Sequence, residues 1–160
     1  MVYYERYMSI GFFYYPDNKQ AAAWTSKMQK WLRVRHPNVK ITNTKPQFLI
    51  VLGGDGTILE ATRRYQKHNP TVVGFNLGRV GFLASVRRPK DFLKGLAALT
   101  KGDYHITKRL MMRASVERKG KKTFTVNALN EVSIQNLLSM VELEVTVQGY
   151  PIQYVHGTGV

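Results

Sequence analysis

The 160-residue sequence contains no cysteine, so it can form neither a disulfide framework nor a thiolate metal site. Such a chain suits a reducing compartment, and a cytoplasmic setting is expected. Acidic residues are scarce: ten Asp and Glu against 24 Lys and Arg leave a formal charge of +14. No apolar run approaches the roughly 18 residues that a membrane span needs, so no membrane partner is expected. The first 15 residues are apolar, but Glu5 stands where a secretory leader is basic and Pro16-Asp17 where a cleavage site would fall; a first strand is the expectation there. Lys and Arg are missing altogether from Thr123 to Val160, whereas half of them lie between Arg87 and Lys122. That imbalance implies an anionic partner. Nucleic acid and a nucleotide both satisfy the charge, but no helix-turn-helix, zinc or RNP-type pattern is present, and Lys119-Gly120-Lys121-Lys122 reads as a solvated hairpin turn. Nucleic acid is therefore not the expected partner. His and acidic residues are also too few at ligand spacing for a metal site held by the protein.

What the sequence does have is 44% hydrophobic residues with seven Phe and nine Tyr, enough for one ordinary domain or two small ones. Met8 to Tyr15 reads as a strand, and Trp24, Met28, Trp31 and Leu32 repeat at helical spacing as a core stripe. Phe48 to Leu52 is apolar without alternation, the pattern of a strand buried on both faces; Ile58, Ala61, Thr62 and Tyr65 then follow at helical spacing. Thr71 to Phe75 is a further buried strand running into a second loop marked by Gly78 and Gly81, and Pro89 opens a helix carrying Phe92, Leu93, Leu96 and Leu99 inward. Strands alternating with helices predict a doubly wound parallel sheet, with both glycine loops at the carboxyl edge where such sheets bind ligands.

The turn Gly53-Gly54-Asp55-Gly56-Thr57 lies between that buried strand and its helix. Glycines permit positive φ and a close backbone approach, and free N–H groups at a helix start favour an anion such as phosphate. Asp55 would repel phosphate unless it had a separate task; a carboxylate beside a phosphate cradle can accept the proton of a hydroxyl that receives a phosphoryl group. The same four residues can also be no more than a tight turn, and no Gly-Lys-Ser/Thr follows to make a Walker loop.

From Tyr104 the apolar period changes to two. Ile106, Leu110, Met112, Ala114 and Val116 share one face; Phe124, Val126, Ala128, Val132 and Ile134 a second; Val141, Leu143, Val145 and Val147 a third. This predicts an α/β domain over 1–101 and an incomplete, mainly antiparallel β domain over 102–160. Asn130 falls on the apolar face of its strand, where a buried amide needs partners; a structural role and a ligand-binding role are both open, and Glu131 faces the other way.

Three segments in this order, Val51-Leu52-Gly53-Gly54-Asp55-Gly56-Thr57-Ile58-Leu59, Gly74-Phe75-Asn76-Leu77-Gly78-Arg79-Val80-Gly81-Phe82-Leu83 and Ala128-Leu129-Asn130-Glu131-Val132, resemble the NAD kinase family from about residue 46 onward. The resemblance implies an α/β domain followed by a β-sandwich-like domain, and transfer of the ATP γ-phosphoryl group to the 2′-hydroxyl of the adenosine ribose of NAD, giving NADP. Asp55 would be the proton acceptor and an NAD contact. Gly53, Gly54, Gly56 and Thr57 would form the phosphate loop. Gly56, Phe75, Asn130, Glu131, Ser139, His156 and Thr158 would meet the dinucleotide, with Phe75 near adenine. Magnesium would arrive with ATP, and a homo-oligomer, dimer or tetramer, is implied.

The glycine-Asp turn is shared with lipid and sugar kinases, whereas the Asn-Glu pair is particular to NAD kinases. A non-catalytic nucleotide-binding remnant is the other alternative. Where the family continues through a Gly-Asp-Gly turn into a Thr-rich segment, this sequence reads Gly157-Thr158-Gly159-Val160 and stops. Thr158 replaces a carboxylate and His156 a usual Arg. C-terminal truncation is the expectation, with poor turnover by these residues alone.

Overall fold

A computed structural model of the protein describes residues 8–78, 81–136 and 138–158. The chain divides into two compact units, 1–108 and 109–160. The first contains β1 (Ser9–Phe13), α1 (Lys19–Arg35), β2 (Lys40–Ile41), β3 (Phe48–Gly53), α2 (Asp55–Tyr65), β4 (Thr71–Asn76), a 3₁₀ turn (Pro89–Asp91) and α3 (Phe92–Lys101). Of the expected first strand, Met8, Tyr14 and Tyr15 lie outside β1; Met1 to Tyr7 are outside the described residues.

The apolar run at 48–53 is buried throughout, because β3 lies inside a parallel sheet ordered β2-β1-β3-β4. Its side chains alternate between two cores. Phe48, Ile50 and Leu52 pack with Met28 and Leu32 of α1 and with Phe92, Leu96 and Leu99 of α3; Leu49 and Val51 pack with Ile58 and Ala61 of α2. Helices thus cover both faces, the doubly wound arrangement that the unalternating sequence predicts. Burying each such side chain contributes roughly 1.5–3 kcal/mol. Trp24 and Trp31 pack partly buried against the larger core, Trp24 edge-on to Phe92 at 5.0 Å. α1 starts where the Asn18 side chain accepts the Ala21 N–H at 3.0 Å, and α3 stops at left-handed Gly102.

Chain order reverses at β1: β2 pairs on one side of it and β3 on the other. The carboxyl ends of β1 and β3 therefore flank a topological switch point, the place where open α/β sheets bind ligands. Gly53 ends β3 there.

The second unit is two antiparallel hairpins, β5 (Met112–Arg118) with β6 (Lys121–Ala128), and β7 (Val141–Val147) with β8 (Tyr150–Gly157). Lys119 (φ 50°) and Gly120 (φ 72°) turn the first, and Gln148 (φ 52°) and Gly149 (φ 83°) the second. Two successive positive φ values match the right-handed twist of hairpin strands, which fixes the basic Lys119-Gly120 step as a turn. β7 shows the expected alternation, with Val141, Leu143 and Val145 more covered than Glu142 and Glu144.

Three expectations fail here. Residues 103–111 form no strand, and Ile106 and Leu110 are exposed. β6 ends at Ala128, its last pair with β5 being Met112–Ala128; β5 does not extend beyond that pair, and Val132 and Ile134 lie exposed outside any strand. Asn130 is likewise exposed, in a bend and not on an apolar strand face, so the buried-amide argument does not hold for it.

Candidate functional site

β3 delivers Gly53 to the sheet edge, Gly54 caps α2, and Asp55 is the first helical residue. Gly54 is extended (φ −91°, ψ −174°), and its carbonyl accepts the N–H groups of Thr57 at 3.0 Å and Ile58 at 3.2 Å. The positive φ anticipated for this turn is absent at Gly54, because a helix cap needs only extended backbone. Space explains the glycines instead. A Cβ at Gly53 would stand 2.7 Å from the Thr57 Cβ, so helix and strand meet there without room for a side chain. At Gly54 and Gly56 a Cβ would meet nothing within 4 Å. Among the described residues no internal contact demands glycine at these two positions, which lie at the N-terminus of α2. Thr57, expected in the phosphate loop, is buried against Gly53.

Asp55 does not cap its own helix. Its Oδ2 accepts the Phe82 N–H at 2.8 Å and its Oδ1 the Leu83 N–H at 3.2 Å, tying the first glycine turn to the second glycine loop. The carboxylate also sits in the first turn of α2, where the helix dipole favours negative charge. Both carboxylate oxygens are thus held by main-chain donors of the second loop. Gly81 lies against it: a Cβ there would fall 2.8 Å from the Asp55 Cγ. The Phe82 ring is 89% exposed.

The base of this loop is fixed by β4. Val86 donates to the Gly74 carbonyl at 2.9 Å, and its own carbonyl accepts the Asn76 N–H at 2.8 Å. Asn76 is buried at the end of β4, and its amide both donates to the Gly78 carbonyl and accepts the Gly78 N–H, each at 3.2 Å. This is the buried amide of the site, and reasoning from sequence misses it; the signal for it is an Asn closing a buried strand directly before a glycine loop. A cleft of about 580 Å³ opens beside it, lined by Asn76, Gly78, Ser85, Val86, Arg87, Arg88 and Asp91. Phe75, expected beside adenine, is wholly buried, its ring edge-on to Phe92 at 5.1 Å.

In the second unit Asn130 and Glu131 are exposed just after β6. The Asn136 side chain donates to Ser139 Oγ at 2.7 Å and its backbone N–H to the Thr158 carbonyl at 3.3 Å, so two of the expected dinucleotide residues are tied together through Asn136. His156 stands opposite Glu142 in the β7–β8 pair. Gly159 and Val160 of the expected turn lie outside the described residues.

Further along α2, hydrogen bonds from Arg63 and Arg64 hold the Glu60 carboxyl down at about 2, well below its ordinary value. Among the described residues no three His, Asp or Glu group at metal-binding distance, and no helix is long and apolar enough to cross a membrane.

The ATP-NAD kinase N-terminal domain family matches residues 1–104 of this chain. The NAD kinase of Azoarcus sp. strain BH72 is 39% identical over 108 residues, 66% of this chain and 36% of the relative. The crystal structure of yeast NADH kinase complexed with NADH superposes with a TM-score of 0.81 at 15% identity, covering 95% of this chain and 56% of that one. An Archaeoglobus fulgidus NAD kinase in complex with ATP gives 0.70 at 23% identity, covering 95% and 59%. At these identities the two structures speak for the fold. The chain spans 36% and 40% of the length of the first two curated relatives it matches, and 56% of another.

Proposed function

The chain belongs to the ATP-NAD kinase family, and from that premise we propose that it takes part in phosphorylating NAD, with ATP as donor and the 2′-hydroxyl of the adenosine ribose as acceptor. The observation that carries this reading is the pair Gly54 and Gly56 on either side of Asp55 at the start of α2, where an added Cβ would meet none of the described residues within 4 Å. Glycines that no contact among the described residues requires leave the backbone approachable by a phosphate, and the helix N-terminus favours its charge.

In the proposed reaction the ribose 2′-oxygen attacks the γ-phosphorus of ATP, the bond to the bridging oxygen of the β-phosphate breaks, and ADP leaves. The hydroxyl proton passes to the Asp55 carboxylate. Each Asp55 oxygen accepts one backbone N–H and retains a second lone-pair direction for that proton. Positioning supplies most of the acceleration in phosphoryl transfer, so a carboxylate fixed by two main-chain donors suits the task. Magnesium enters as part of the ATP substrate, held by phosphates and water.

Asn130 and Glu131, both exposed, are proposed dinucleotide contacts, together with Ser139, His156 and Thr158. The buried ring of Phe75 serves instead to hold the end of β4. A cytoplasmic setting and a homo-oligomeric state belong to the same proposal, the latter supported by apolar side chains exposed on both hairpins, among them Phe124, Ile152 and Tyr154.

The test is a single-turnover assay with protein in excess over NAD, in the presence of ATP and magnesium, the product being identified by its 2′-phosphate. NADP is expected. Phosphorylation of a lipid or a free sugar in its place, or nucleotide binding without transfer, would overturn the reading.

A further inference from the structure

Asp55 approaches the second glycine loop through a gap that one missing side chain creates. The carboxylate reaches the Phe82 and Leu83 N–H groups by lying across Gly81, where a Cβ would meet both its oxygens and come within 2.8 Å of its Cγ. The neighbouring loop glycine differs: among the described residues a Cβ at Gly78 would have only Asn76 Oδ1 near it, at 3.8 Å, an ordinary contact. The two glycines of one loop are thus separable by what they touch.

We infer that Gly81 is a positioning residue, whose absent side chain is the seat of the Asp55 carboxylate and fixes the direction in which that carboxylate faces an acceptor hydroxyl. The inference rests on the reading of Asp55 as proton acceptor for its functional part; its structural part stands on the geometry alone. The Asp55 side chain is short, and among the described residues the donors that hold its carboxylate are the Phe82 and Leu83 N–H groups. Adding a methyl group at Gly81 pushes the carboxylate off both donors at once, because the occupied volume is the carboxylate's own.

A double-mutant cycle separates the two parts. Gly81→Ala is made in the wild-type chain and in an Asp55→Ala background, with Gly78→Ala as the control in the same loop. In the wild-type background Gly81→Ala lowers the melting temperature by roughly 4 °C or more and exposes the Phe82 and Leu83 amides to faster hydrogen exchange. In the Asp55→Ala background the same change moves the melting temperature little, since the group it displaces is gone. Gly78→Ala leaves the amides of Phe82 and Leu83 protected. If Gly81→Ala fails to fold, recovery of folding in the double variant supports the seat and continued failure overturns it. Equal losses in both backgrounds also overturn it.

The functional part is read from the split between rate and affinity. Gly81→Ala is expected to lower the single-turnover rate of NADP formation by roughly 10²-fold, the scale of an ångström-sized misplacement, with NAD affinity unchanged. A rate left intact refutes the positioning role. A wild-type chain that neither binds nor phosphorylates NAD overturns the functional reading, and the stability cycle then decides by itself whether Gly81 seats the carboxylate.

Discussion

The Asp55 carboxylate accepts the backbone N–H of Phe82 at 2.8 Å, joining the turn after β3 to the loop after β4 across 27 positions of sequence. One acidic side chain therefore ties together the loops that follow the neighbouring strands β3 and β4, and it does so from the first turn of α2. The glycines around it divide by surroundings: protein atoms crowd Gly53 and Gly81, whereas a Cβ at Gly54 or Gly56 would meet none of the described residues within 4 Å.

That division predicts opposite outcomes for alanine substitutions. Gly53→Ala forces the added methyl against Thr57 and is expected to destabilise by about 1–3 kcal/mol. Gly56→Ala, inside α2, is expected to stabilise by about 0.5–1 kcal/mol because alanine is the better helix former. It should nonetheless weaken ATP binding by blocking the approach of phosphate. Thermal melts and ATP titrations on both variants check this; undiminished ATP affinity in Gly56→Ala would remove the turn from the phosphate site.

Asn130 is expected to matter for binding alone. Because it is exposed, Asn130→Ala should change stability by no more than about 0.5 kcal/mol, while NAD affinity falls. Calorimetric titration beside a denaturant melt tests both halves, and a large stability loss with unchanged affinity would reverse the assignment.

Glu60 makes α2 acid-sensitive in a defined window. Its folded-state value of about 2 lies below the unfolded value of 4.5, chiefly through the hydrogen bond from Arg63 and then that from Arg64. The carboxylate therefore supports the fold fully above 4.5, and this support fades as the pH falls toward 2. The stability difference between wild type and Glu60→Gln should be constant at neutral pH, shrink below 4.5 and vanish near 2. A difference independent of pH across that range would show the ion pairs to contribute nothing.

The exposed apolar side chains of the hairpins predict self-association. Sedimentation velocity over a range of concentrations should show the weight-average mass rising, and a monomer at every concentration would contradict the proposed homo-oligomer.

Much of the first unit was legible because burial on both faces writes itself directly into sequence. Phe48 to Leu52 lacks alternation since β3 has a helix on either side, and the stripe from Met28 to Leu32 follows from one sheet face. The second unit was legible only where a turn fixed the pairing, as at Lys119-Gly120. Past Ala128 the alternation of Val132 and Ile134 continued in the sequence, but a strand needs a partner and β5 had ended. The site was half visible. Asp55 stood out as a charge among glycines, whereas its hold on Phe82 and Leu83 uses backbone donors, which carry no residue-type signal. Asn76 was missed because the loop glycines after it point to backbone freedom, when its amide is what shapes the loop.

The proton-acceptor role of Asp55 is tested most directly by measuring single-turnover NADP formation and NAD affinity on wild type and Asp55→Asn in parallel. The amide retains the size of the side chain and loses the basic oxygen. The rate is expected to fall by about 10²–10⁴ with NAD affinity largely retained. NADP formation at the wild-type rate by Asp55→Asn would contradict the role assigned to Asp55.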